Sequence, residues 1–214
     1  MTRWAVIPIK PLDDAKSRLA DILSPDERRE LVIALFVHTV TQIKESGKFE
    51  GIAVITADPQ VWEISHQMGI DIIEEPIPSD LNESLFNALE WLKPRLVRSL
   101  MILPGDLPYL NARLLVDMVA EAEQFNLMMI SPDQSLSGTN ALHVTPKEGL
   151  AFTFGEDSFI HHVHLAKRMN YNLKIYMSDQ LKVDIDTPED YRQHHKILEY
   201  HLARNPFRVQ VTPG

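Results

Sequence analysis

The sequence contains no cysteine, which excludes disulfides, thiol nucleophiles and thiolate metal sites together. Any metal must therefore sit on oxygen or imidazole. No apolar run approaches the roughly 20 residues that a membrane-spanning helix needs, and no long apolar signal region follows Met1-Thr2-Arg3-Trp4. A soluble, cytoplasmic protein without a membrane partner is expected. Cations are in the minority, 21 Lys and Arg against 30 Asp and Glu, for a formal charge of −9. An acidic surface of that size disfavours nonspecific binding to DNA, RNA or anionic lipid, so no nucleic-acid partner is expected.

A further absence is local. After the apolar run Trp4 to Ile9 the chain reads PIKPLDDAKSRLA, with no glycine. Glycine is the usual means by which a loop brings backbone N–H groups close to a phosphate. Here the loop carries Lys10, Lys16 and Arg18 instead, stiffened by Pro8 and Pro11. With 214 residues, 44% of them hydrophobic, one α/β domain spanning residues 1–214 is expected.

Short β-rich runs alternate with helical patterns. They are RWAVIPI, GIAVITA from 51, IDIIEE from 70, SLMILPG from 99, LMMIS from 127, ALHVT from 141 and LKIYM from 173. Such alternation predicts a mostly parallel sheet with helices on both faces. Ser24-Pro25-Asp26-Glu27 combines an N-cap serine, a proline at the first helical position and a capping-box glutamate. Asp58-Pro59 and Thr187-Pro188-Glu189-Asp190 repeat the device and open helices expected to reach about Met68 and about Leu202. The stretches 74–80 and 131–139 read as loops.

Asp106 follows the run SLMILPG, just past the carboxyl edge of a buried strand, where an open α/β sheet binds its ligand. A carboxylate there suits a hard cation such as Mg²⁺ beside substrate phosphates. It equally suits a turn cap. Asp184 and Asp186 alternate with Val183 and Ile185, so in an extended segment they face one side, where a cation between them would relieve their repulsion. Alternatively, Asp186 is a helix-start residue and Asp184 is solvated. Cations on the first loop with carboxylates on later strand ends suit a nucleoside triphosphate held with Mg²⁺.

The ordered set Pro8-Ile9-Lys10, Ala15-Lys16-Ser17-Arg18-Leu19, Leu81-Asn82, Gly105-Asp106-Leu107-Pro108, Gly138-Thr139-Asn140-Ala141-Leu142, Phe154-Gly155 with Ser158-Phe159, and Asp184-Ile185-Asp186-Thr187-Pro188-Glu189-Asp190 resembles the 2-phospho-L-lactate guanylyltransferase (CofC) family of coenzyme F420 biosynthesis. The resemblance covers about residues 4 to 200. It implies a glycosyltransferase A-like nucleotidyltransferase fold and transfer of GMP from GTP to a phosphorylated three-carbon acid, with release of pyrophosphate. Within it Asp106 and Asp186 match metal ligands, Asn82 a nucleotide contact, and Thr139, Gly155 and Ser158 the group that holds the acid. The family usually has glycine where this chain has Asp80.

Locally, Gly138-Thr139-Asn140 offers a hydroxyl and close backbone amides, and Gly155 to Ser158 lies at or just before a helix start, suited to an anion or to an ordinary N-cap. His161 and His164 share a helix face, but no carboxylate stands at zinc-site spacing, so they are read as packing or surface residues. Met128-Met129 is read as core strand. The segment 203–214, with the alternating Phe207 to Val211, is expected to serve in oligomerisation, giving a homodimer. Two other readings stay open at this point. One is a molybdenum-cofactor or sugar-phosphate nucleotidyltransferase, although those carry a glycine-rich first loop. The other is a nonenzymatic nucleotide-binding protein of the same fold.

Overall fold

The computed structural model describes residues 2–75 and 80–208. The seven expected strands are β1 (Arg3–Pro8), β2 (Gly51–Thr56), β3 (Asp71–Glu74), β4 (Ser99–Ile102), β5 (Leu127–Pro132), β6 (Thr139–Val144) and β7 (Asn172–Ile175), joined in one sheet in the order β3-β2-β1-β4-β6-β5-β7. The pairs β3-β2, β2-β1, β1-β4 and β5-β7 are parallel. β6 runs antiparallel to both of its neighbours, β4 and β5. The sheet is thus mostly parallel, as the alternation of runs predicts, with one reversed strand whose direction the sequence pattern does not report.

Strand residues alternate between two cores, which is the physical reason the strands read as nearly continuous apolar runs. Ala5, Ile7, Val54, Met101 and Met129 join one core, covered by α1 (Pro25–Ser46), α2 (Pro59–Gln67) and α4 (Ala112–Glu121). Val6, Ala53, Ile102, Met128 and Ile130 join the other, covered by α3 (Leu81–Leu92) and α5 (Ser158–Arg168). Met128 and Met129 therefore belong to opposite cores of one buried strand. A smaller cluster of Leu19, Leu31, Leu35, Val183, Ile185 and Leu198 attaches α6 (Pro188–Arg204) to α1.

The helix starts are made as their sequences predict. Ser24 and Glu27 form a reciprocal capping box on α1, and Thr187 and Asp190 form another on α6. Asp58 caps α2 with Oδ1, accepting from the N–H groups of Gln60 and Val61 at 2.9 and 3.2 Å. Its other oxygen, Oδ2, accepts the N–H of Leu12 at 2.8 Å. One carboxylate thereby begins a helix and ties down the loop after β1.

In the C-terminal segment the strand-like alternation expected from Phe207 is not what its first residue adopts. Residues 203 and 204 continue α6, and Phe207 lies in a turn and packs against the larger core. Partial burial of an aromatic ring against the fold outweighs its place in an alternating pattern. The remainder of the expected strand, 209–211, and the chain beyond it to 214 lie outside the described residues.

Candidate active site

At the carboxyl ends of β1 and β4 lies a cleft of about 710 Å³, lined by residues that include Lys10, Lys16, Arg18, Gly105, Asp106 and Asp186. Three separate pieces of local structure deliver these groups. The loop after β1 is anchored by the buried side chains of Leu12 and Ala15 and by Asp58, so its polar residues turn toward the cleft. Lys16 stands in this loop with φ 52°, a left-handed conformation that costs a non-glycine residue on the order of 1–2 kcal/mol. At the end of β4, Gly105 allows the close approach of the two strand exits: a Cβ there would lie 2.3 Å from Ile9 Cδ1. The third piece is the extended segment before α6. Val183 and Ile185 are buried on one side, and the α6 cap adds a bond from the Asp186 N–H to Asp190 Oδ2 at 3.2 Å.

Asp106, Asp184 and Asp186 meet, each offering a carboxylate oxygen within 4.8 Å of the others. Into this group reaches the Lys16 ammonium, 2.6 Å from Asp106 Oδ2 and 2.8 Å from Asp186 Oδ1. Arg18 stands at 3.9 Å from Asp186 Oδ2 with its side chain largely exposed, and Lys10 is exposed at the cleft. Asn140 donates to Asp184 Oδ1 at 3.3 Å and to the Leu181 carbonyl at 2.9 Å, steadying the segment from β6.

The electrostatics follow from this crowding. Burial, then the charges of Asp106 and Asp186, push the Asp184 carboxyl up to about 6. Burial acts to raise Asp186 as well, but the Lys16 ammonium outweighs it and leaves that carboxyl below the usual range. Burial alone would lower Lys16, whereas Asp106 and Asp186 together hold its ammonium well above the usual lysine range. Asp106 Oδ1 is buried without a hydrogen-bond partner. Three convergent carboxylates with one buried oxygen unsatisfied form a donor set that fits a hard, oxygen-seeking divalent cation.

The other candidate residues form a second cluster, and none of Asn82, Thr139, Gly155 and Ser158 lines the cleft. Thr139 at the start of β6 and Ser158 at the start of α5 are both buried. The Ser158 hydroxyl donates to Thr139 Oγ1 at 3.3 Å, and His162 Nδ1 lies 3.0 Å from the same oxygen. His162 Nε2 accepts the Thr153 N–H at 3.4 Å, which leaves Nδ1 as the protonated nitrogen that donates to Thr139. Asn82 spends both ends of its carboxamide on Phe154, donating to its carbonyl at 3.0 Å and accepting its N–H at 2.7 Å. Gly155 follows, exposed, at φ 121°, a region open to glycine and strained for other residues. These side chains hold the 152–155 loop in place.

His162 is the residue that sequence reasoning passed over. In the run His161-His162-Val163-His164 the two flanking histidines are exposed, and His162 is buried four residues after Ser158 on the same helix face. That spacing was the available signal. The second role of Asp58 had none, because Leu12 is 46 positions away.

A family described as "Guanylyl transferase CofC like" matches residues 3–197. The chain belongs to this family. A phosphoenolpyruvate guanylyltransferase of Sphaerobacter thermophilus is 33% identical over 193 residues, 90% of this chain and 92% of that one. A 2-phospho-L-lactate guanylyltransferase of Methanothermobacter thermautotrophicus is 30% identical over 190 residues, 89% of this chain and 82% of that one. Among solved structures, a Desulfovibrio desulfuricans protein described as a nucleotide-diphospho-sugar transferase superposes with TM-score 0.71 at 10% identity, covering 94% of this chain and 99% of that one. A Mycobacterium tuberculosis protein solved with manganese superposes with TM-score 0.60 at 16% identity, covering 93% and 99%. The fold is that of the nucleotidyltransferases, and by family this CofC-like chain is a nucleotidyltransferase of the coenzyme F420 pathway.

Proposed function

We propose that this enzyme joins the GMP moiety of GTP to the phosphate of 2-phospho-L-lactate or its close analogue phosphoenolpyruvate and releases pyrophosphate, as a single catalytic domain with Mg²⁺. The observation that carries the proposal is the convergence of Asp106, Asp184 and Asp186, with Lys16 reaching two of them at the cleft, in a chain whose relatives are named for these two acids. The family membership and the glycine-free first loop speak against a molybdenum-cofactor or sugar-phosphate enzyme. A nonenzymatic nucleotide binder would have no need of the acceptor.

Asp106, Asp184 and Asp186 would hold the Mg²⁺. When bound it would screen the repulsion between two anionic reactants and polarise the reacting phosphate. The acceptor phosphate oxygen attacks the α-phosphorus of GTP, a new P–O bond forms, and the bond to the β-phosphate oxygen breaks. Lys10, Lys16 and Arg18 take up the charge that develops on the departing pyrophosphate. No covalent enzyme nucleophile is required, and alignment with charge neutralisation supplies the acceleration. Thr139, Ser158 and His162 form a rigid base beneath the loop that presents Gly155 to the acid, and Asn82 fixes that same loop through Phe154. We place the reaction in the cytoplasm. The homodimer remains a proposal, resting on the alternating sequence of the tail and tested by light scattering.

The deciding experiment is a matrix of four nucleoside triphosphates against 2-phospholactate, phosphoenolpyruvate and 3-phosphoglycerate, scored by pyrophosphate release. Release from GTP that depends on one of the first two acids supports the proposal. Release without any acid, or with another nucleotide only, overturns it.

A further inference from the structure

The Lys16 ammonium touches two of the three carboxylates expected to bind the cation, with only 9% of its side chain exposed. An ammonium and a divalent cation cannot share those oxygens at such distances, because like charges a few ångströms apart in a partly buried site repel strongly. The opposing sites are already at hand. Lys10 and Arg18 line the same cleft, so an entering polyphosphate meets further positive charge there beside that of Lys16. The long, flexible lysine stem can move its charge where a planar, forked arginine would be more constrained. Asp106 Oδ1, buried and unpartnered, stays unsatisfied while Lys16 occupies Oδ2.

We propose that Lys16 is the resident counter-ion of the acidic cluster, and that cation and nucleotide bind together by exchange: the cation takes the carboxylates while the nucleotide phosphates take the ammonium. This rests on the reading of the cleft as a cation–nucleotide site. Each ligand removes what opposes the other. A cation alone must displace Lys16 into water, and a nucleotide alone finds its lysine held by Asp106 and Asp186. The coupling is reciprocal by thermodynamic necessity.

The test uses the full chain without acceptor acid, so that no turnover occurs, and follows free Mn²⁺ by electron paramagnetic resonance. Wild type, Lys16→Met and Lys16→Gln are titrated with and without GTP, with a protein-free control for chelation by GTP itself. Circular dichroism first establishes that each variant is folded, and two variants guard against one that is not. In wild type, GTP is expected to tighten Mn²⁺ binding to the protein by about tenfold or more, within the roughly 5- to 150-fold range of such couplings. In both variants Mn²⁺ alone should bind about tenfold tighter than in wild type, and GTP should add little. Mn²⁺ affinities equal in wild type and folded variants would overturn the exchange while leaving the cation site standing. No Mn²⁺ binding to any of the proteins, with or without GTP, would overturn the cation site as well.

Discussion

Lys16 Nζ lies 2.6 Å from Asp106 Oδ2 and 2.8 Å from Asp186 Oδ1, bridging residues 90 and 170 positions further along the chain. One ammonium thus joins the loop after β1, the end of β4 and the segment before α6. The same contacts define what substitutions there should do.

Asp106→Asn keeps the side-chain volume and removes the charge that faces Lys16. Losing one partner of a partly buried charge pair costs on the order of 2–5 kcal/mol in such sites; felt in full in the transition state, that lowers turnover by roughly 30- to 5,000-fold. The far-ultraviolet circular dichroism should be unchanged. Wild-type turnover in this variant would remove Asp106 from the mechanism.

Thr187→Ala deletes the hydroxyl that accepts the Asp190 N–H at 3.2 Å. Loss of such a cap costs about 1 kcal/mol, so Tm should drop by several degrees. Asp190 Oδ2 also accepts the N–H of Asp186, so the Mg²⁺ concentration needed for half-maximal rate should rise as well. A lower Tm with an unchanged Mg²⁺ requirement would separate α6 stability from the site.

Asn82→Ala strands the N–H and carbonyl of Phe154, each of which loses its partner. An unsatisfied, partly buried polar group costs about 1–3 kcal/mol. Because the loosened loop carries Gly155, KM for the phosphorylated acid should rise more than KM for GTP. The opposite split would make Asn82 a direct nucleotide contact instead.

His38, His143 and His162 are each pushed down to about 4, in every case first by burial. A second, smaller cause is a neighbouring charge or imidazole: His201 for His38, Arg3 for His143 and His161 for His162. The folded pKa lies below the unfolded value, so the unfolded chain binds more protons between them. The stability these groups contribute is present above about pH 6.5 and is lost as pH falls toward 4. Their ring C–H signals in proton NMR should stay at the neutral position down to about pH 5. Midpoints near 6.5 for all three would show that the rings are not desolvated.

The order of strands and helices was legible because each is set by local pattern: apolar runs for β1 to β7, and caps at Ser24, Asp58 and Thr187 for three of the helices. The reversed direction of β6 was not, since an apolar strand buried on both faces looks the same whichever way it runs. Within the tail, Phe207 reads as strand by alternation and is claimed by the core.

By itself the sequence determined which chemistry was available: no cysteine left oxygen or imidazole as metal ligands, and acidic residues at strand ends with a few placed cations suited an anionic substrate held with a hard cation. The ordered motifs pointed to the family. The tertiary structure alone decided that Asp106, Asp184 and Asp186 share one site and that Lys16 stands among them, whereas Thr139 and Ser158 turn inward to His162. The physical reason is that a residue's type and its place in an element are fixed locally, but the distance between side chains far apart in sequence is set by how the sheet and its two cores bring the strand ends together.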